Sequence, residues 1–144
     1  MRNMTIMKAR SIALVTGCAI LLSGIPVLAH HAFNAEFDRN KPITISGKVN
    51  RVEWMNPHAR IYVDVKGEKG NVITWDFELG SPNGLMRNGW RRDSLKQGDE
   101  ITVTGWLAKN APNVGNAGSV VMASTGRRMF AASSEGDSNP NSNQ

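Results

Sequence analysis

Cysteine is almost missing from this chain of 144 residues: the only one, Cys18, lies in an apolar stretch near the start. A lone thiol excludes an internal disulfide framework and a thiolate metal centre. Histidine is scarce, with three, and tyrosine scarcer, with one. There is no Ser/His/Asp order, no glycine-rich phosphate loop and no His-Glu-x-x-His segment. The sequence therefore lacks the common marks of a hydrolase, a nucleotide enzyme or a zinc protease, and leans away from an enzyme. A strong charge of one sign is lacking too. Of the 17 Lys+Arg, three (Arg2, Lys8 and Arg10) fall in residues 1–29, which hold no acid. The remainder carries 14 basic against 12 acidic side chains, a net +2. So weak a charge argues against nucleic acid and against an anionic membrane surface as partners.

What is present begins with an export signal. Arg2, Lys8 and Arg10 form a positive n-region, residues 11–22 an apolar h-region, and Val27-Leu28-Ala29 a small-x-small cleavage pattern. Val15-Thr16-Gly17-Cys18 loosely resembles a lipobox, but the apolar stretch runs on through 19–22 and 25–28, where a lipoprotein has a polar tether. A retained signal anchor is a further alternative, which the small-residue site disfavours. The expected product is a periplasmic or secreted protein, not integral to a membrane after processing. It starts at His30 and is long enough for one core. Residues 30–42 read as a lead-in, 43–132 as one domain, and 133–144, which lack an apolar anchor, as a disordered tail.

Period-two alternation predicts strands. Residues 43–49 alternate apolar with small or polar, and the pattern slips before Val52, as a β-bulge near Asn50 would make it. After the Asn56-Pro57 turn, Ile61, Val63 and Val65 share one face. Past a hairpin-like Gly67-Glu68-Lys69-Gly70, the next strand puts Ile73, Trp75, Phe77 and Leu79 on one face and Thr74, Asp76 and Glu78 on the other. Ser81-Pro82 is a helix N-cap followed by proline, and Gly89 stops the helix after about two turns. A fourth strand spans 101–107. A loop over 109–118 leads to a weaker fifth strand over 119–123. Three strands, a short helix and two strands give an all-β fold, a five-stranded OB-like Greek-key barrel. A small β-sandwich is the alternative.

The segments HHAFNAEFD, PITISGKVNRVEWMNPHARIYVDV, ELGSPNGLMRNGW and SLKQGDEITVTGW resemble a family of small exported bacterial proteins. That family carries only a domain-of-unknown-function label. Its pattern is His-His-Ser/Ala-Phe, Trp-x-Asn-Pro-His and Gly-Trp. The resemblance covers residues 30–130 and implies export and an OB-like barrel, but it transfers no catalytic residue. One departure is Asn110-Ala111-Pro112, where the family more often has Asp-Gly after the lysine.

Cleavage after Ala29 would expose the α-amine of His30 beside two imidazoles, His30 and His31, a nitrogen set suited to Cu(II), then to Ni(II) or Zn(II). His58, in the loop between strands one and two, is a possible third ligand, since that loop rims the OB binding face. Glu36, Asp38 and Glu53 are candidate oxygen ligands, and Met55 is a soft one for Cu(I). The plainer account makes His30 and His31 a processing landmark and His58 a turn-shaping residue. A metal-free ligand- or protein-binding module is the alternative function, with Trp54, Asn56 and Trp106 around the site and Trp106 as an exposed stacking platform. Trp75 is expected in the core and Trp90 against the helix end. Arg87, Arg91 and Arg92, and the pair Asp76 and Glu78, read as solvated surface. An oxidative copper enzyme using an N-terminal histidine is the third and least favoured class.

Overall fold

The computed structural model describes residues 33–132. The segment expected to be an export signal, Cys18, His30, His31 and the residues 133–144 expected to be a tail lie outside the described residues. Among the described residues, after a helical stretch over 33–36, the elements run in the order β1 (Phe37–Glu53), β2 (Arg60–Lys66), β3 (Val72–Glu78), α1 (Pro82–Arg87), β4 (Glu100–Ala108), β5 (Val114–Met122) and β6 (Arg128–Phe130). The sheet order is β3-β2-β1-β4-β5-β6, and a parallel pairing of β3 with β5 closes the first five strands into a barrel. This is the expected all-β architecture with one short helix, consistent with an OB-like barrel.

The alternation sorts side chains as it predicts. Ile61 and Val63 of β2, Phe77 of β3, Val103 of β4 and Ala117 and Val120 of β5 are all fully buried in one core. The bulge expected near Asn50 is there: Val49 pairs with Val63 and Arg51 with Tyr62, leaving Asn50 unpaired. Its amide turns to the Asp64 carboxylate (2.9 Å). Around α1 the caps match the sequence signals. The Ser81 hydroxyl accepts the Gly84 N–H, and Pro82 opens the helix. At the other end the N–H groups of Gly89 (φ +85°) and Trp90 donate to the carbonyls of Met86 and Leu85, a Schellman closure. Leu85 and Trp90 are both buried, so the cap doubles as an apolar contact with the core.

Two expected boundaries are corrected. β1 begins at Phe37, inside the segment taken as a lead-in. Phe37 pairs with Ala108 and Pro42 with Trp106, so the residues between them bulge out of the ladder. β5 begins at Val114, well before residue 119, and the β4–β5 loop is correspondingly short. Its first half is Val-Gly-Asn-Ala-Gly, low in strand propensity, yet small residues are what the barrel requires there. A Cβ on Gly115 would sit 3.0 Å from Ile43, Phe77 and the Trp106 carbonyl. Close approach at the closing seam overrides the propensity of the residue.

Candidate functional site at the closing seam

β3 and β5 meet over three pairs, Asp76 with Val114, Phe77 with Gly115 and Glu78 with Asn116. Phe77 points into the barrel, which puts Asp76 and Glu78 on the outer face with Val114 and Asn116. On the other side of β3, Arg60 of β2 pairs with Glu78 in the ladder. Its guanidinium spans both carboxylates, with Nε 2.9 Å from Asp76 and Nη1 3.6 Å from Glu78. The hydrogen bond to Asp76 holds the Arg60 pKa above its ordinary value. Asp76 and Glu78 are thus not the solvated surface expected of them: they are clamped by one arginine, and the Glu78 side chain is only 14% exposed. Burial pushes the Glu78 carboxyl above its ordinary 4.5; His58 and Arg60 oppose the shift, and Glu36 and Asp76 add to it.

The ladder continues past Arg60. The Leu79 N–H donates to the Ala59 carbonyl and the Ala59 N–H to Gly80, so the loop residue His58 is held against the end of β3. Its Nδ1 lies 3.1 Å from the Leu79 carbonyl and 3.8 Å from Glu78. A carbonyl can only accept, so Nδ1 is the donor in this contact. The Asn56-Pro57 bond just before it is cis.

A cleft of about 250 Å³ opens over this seam, lined by Arg60, Glu78 and Val114, by Asn110 and Ala111 of the β4–β5 loop, and by Ala35, Glu36, Phe37 and Ala108. Strands two and three with the first and fourth loops are where OB barrels bind their ligands. Here the segment preceding β1 forms the facing wall. It is fastened by aromatics. Phe33 meets Phe37 at 5.4 Å and the Trp106 ring edge-on at 5.7 Å, and Arg39 lies 4.5 Å above Phe33. The Lys109 N–H donates to the Glu36 carbonyl, and its ammonium group donates to the Asn34 carbonyl.

Trp106 is therefore no exposed platform. It faces outward from the barrel as the alternation requires, but Phe33 and Phe37 cover it and leave it 3% exposed. Trp54 packs against the core and under Arg92 (5.9 Å), and neither it nor the exposed Asn56 lines the cleft. Trp75 stacks on Phe77 (5.6 Å), and the Trp90 indole donates to the Phe130 carbonyl, both in packing roles as expected. Of the candidate oxygen ligands, Glu36 is in the cleft, Asp38 is tied to Lys41 and Glu53 to Arg51. Met55 stays half exposed. Among the described residues no group of three His, Cys, Asp or Glu could hold a metal ion. No helix among them is long and apolar enough to cross a membrane. Sequence reading missed Arg60 and Asn116 altogether. The alternation does put Arg60 on the outer face, but nothing in the sequence shows that this face becomes covered.

Residues 19–117 match a family of unknown function, DUF6152. The chain belongs to that family. The DUF6152 match takes in His58, Arg60, Asp76, Glu78 and Asn116, and so the whole of the seam. No curated protein and no solved structure matches the chain.

Proposed function

We propose that the protein is a small exported binding module that takes up copper. The α-amine and imidazoles of His30 and His31 would be the primary ligands, and His58 would supply a further nitrogen. The observation that carries this reading is the hydrogen bond from His58 Nδ1 to the Leu79 carbonyl. Metal-bound histidines characteristically donate their second ring nitrogen to a carbonyl or carboxylate, which fixes the tautomer and makes the other nitrogen a better ligand. Amine and imidazole nitrogens together favour Cu(II) over the other common divalent ions.

Isothermal titration of Cu(II) into the chain beginning at His30 tests the reading. One ion should bind per chain, and His31→Ala and His58→Ala should each weaken it by about tenfold or more. Affinity unchanged in the double variant would sink the site. A metal-independent module is the second reading, favoured by the cleft at the seam. Its binding would be indifferent to chelator.

A further inference from the structure

The charges of this chain are not spread evenly. Three segments, 54–59, 81–95 and 124–132, hold Arg87, Arg91, Arg92, Arg127 and Arg128 and a single acid, Asp93, a net +4. The rest of the chain after residue 29 holds nine basic and eleven acidic side chains. The small overall charge therefore hides one basic region. We propose that this region, where exposed arginines accompany exposed Met and Phe side chains, docks an acidic segment of a partner protein. The proposal goes beyond the copper reading and rests neither on it nor on the cleft at the seam.

The fold brings the three segments together. Trp90 is buried just past α1, and its indole N–H donates to the Phe130 carbonyl (2.6 Å), which fastens the α1–β4 connection to β6. Arg127 Nη2 donates to the Gly89 carbonyl (3.4 Å), so its guanidinium sits at the C-terminal end of α1, where Arg87 occupies the last turn. Arg91 and Arg92 follow Trp90 directly. In β6 the middle residue, Met129, is buried, so Arg128 and Phe130 point outward together. The Arg92 guanidinium lies 5.9 Å from the Trp54 ring, which brings in Met55, the next residue.

These side chains are available to a partner. All five arginines are exposed, and none has an ion-pair partner among the described residues, whereas Lys41, Lys48, Arg51 and Arg60 each do. Like charges held close without counterions repel, and an acidic partner would relieve that repulsion. The second, independent observation is apolar. The exposed large apolar side chains among the described residues are Met55, Val72, Met86 and Phe130, and all but Val72 belong to these segments.

Composition decides the class of partner. The three segments hold five arginines and no lysine. Arg, Met and aromatic residues are enriched in protein–protein interfaces and Lys is depleted, while a membrane-surface patch draws on Lys as readily as on Arg. The guanidinium fork also matches a carboxylate with two parallel hydrogen bonds. The chain's own residues 133–144 carry two acids, Glu135 and Asp137, too few to match five arginines.

The test follows amide chemical shifts of the protein at low ionic strength, with a synthetic peptide of repeated Asp-Asp-Leu as probe and one of repeated Lys-Lys-Leu as control. The acidic peptide should shift the backbone amides of residues 86–92 and 127–130, and the basic one should not. Arg91→Glu and Arg128→Glu should each weaken binding by about tenfold or more. Lys69→Glu makes the same change in net charge at an exposed site in the β2–β3 hairpin and should leave binding nearly unchanged. Met86→Ser alters no charge and should weaken binding by about threefold. All four substituted side chains are exposed, so the fold is kept. No binding of the acidic peptide, an equal loss in Lys69→Glu, or full affinity in Met86→Ser would each overturn the proposal. So would tighter binding to phosphatidylglycerol vesicles than to the peptide. Peptide binding that appears only after Glu135→Gln with Asp137→Asn would make the chain's own residues the occupant, and would overturn it too.

Discussion

The two faces of β3 are built from alternate residues of one seven-residue strand, and they differ in almost everything. Inward, Phe77 joins Ile61, Val63, Val103 and Val120 in one apolar core. Outward, Asp76 and Glu78 share Arg60 beside an amide, Asn116, that is buried without a partner. The inner face is closed by the barrel itself. The outer face is covered by an added segment, held by Phe33 and Phe37 on Trp106. A core closed by its own strands can be wholly apolar, and it secures the fold. A face covered by a strap encloses whatever the strands happened to present to solvent, and that is where Glu78 comes to be sheltered.

The largest test of that contrast is Phe77→Ala, which empties the inner face. It should cost about 3–5 kcal/mol in urea unfolding. Phe33→Ala, which loosens only the strap, should cost less, about 1.5–3 kcal/mol, and should speed proteolysis near β1 more than elsewhere. Equal costs would mean that the strap is part of a single core. Asn116→Leu replaces an unpartnered amide with an apolar group of similar size. It should raise stability by about 1 kcal/mol; a loss of stability would show that the amide has a structural partner.

A smaller effect concerns pH. The folded Glu78 carboxyl binds its proton more tightly than in the unfolded chain. Its contribution to stability is thus present below about pH 4.5 and is lost as pH rises through the raised value. Asp64, stabilised as a carboxylate by Thr74 and Asn50, has the opposite sign: its contribution is present above its ordinary 3.8 and is lost on acidification. Unfolding of Glu78→Gln and Asp64→Asn against wild type across this range should give difference curves sloping in opposite directions. Last and smallest, Lys48→Ala removes an exposed ion pair to Glu100 (3.6 Å) and should change stability by no more than about 0.5 kcal/mol.

The inner face was legible in the sequence because burial on one side imposes strict alternation. Ile61, Val63 and Phe77 could be assigned to the core from spacing alone, and Ser81-Pro82 and Gly89 marked both ends of the helix. The bulge at Asn50 could be read from the slip in phase. The outer face was not legible. Trp106 follows the alternation outward, and what buries it is Phe33, 73 positions earlier, which no local pattern connects to it. Asp76 and Glu78 looked solvated for the same reason. The start of β5 was missed because Gly115 is there for close approach at the seam, and glycine reads locally as loop. His58 was singled out for its loop position, but its hydrogen bond depends on the Leu79 carbonyl, a partner supplied only by the β2–β3 ladder.

The most direct measurement is native mass spectrometry of the protein purified from its own host, since one spectrum reports both the N-terminus and any bound ion. A mass beginning at His30 with one copper per chain is the predicted result. A chain beginning elsewhere, or one beginning at His30 without metal, would contradict the copper reading.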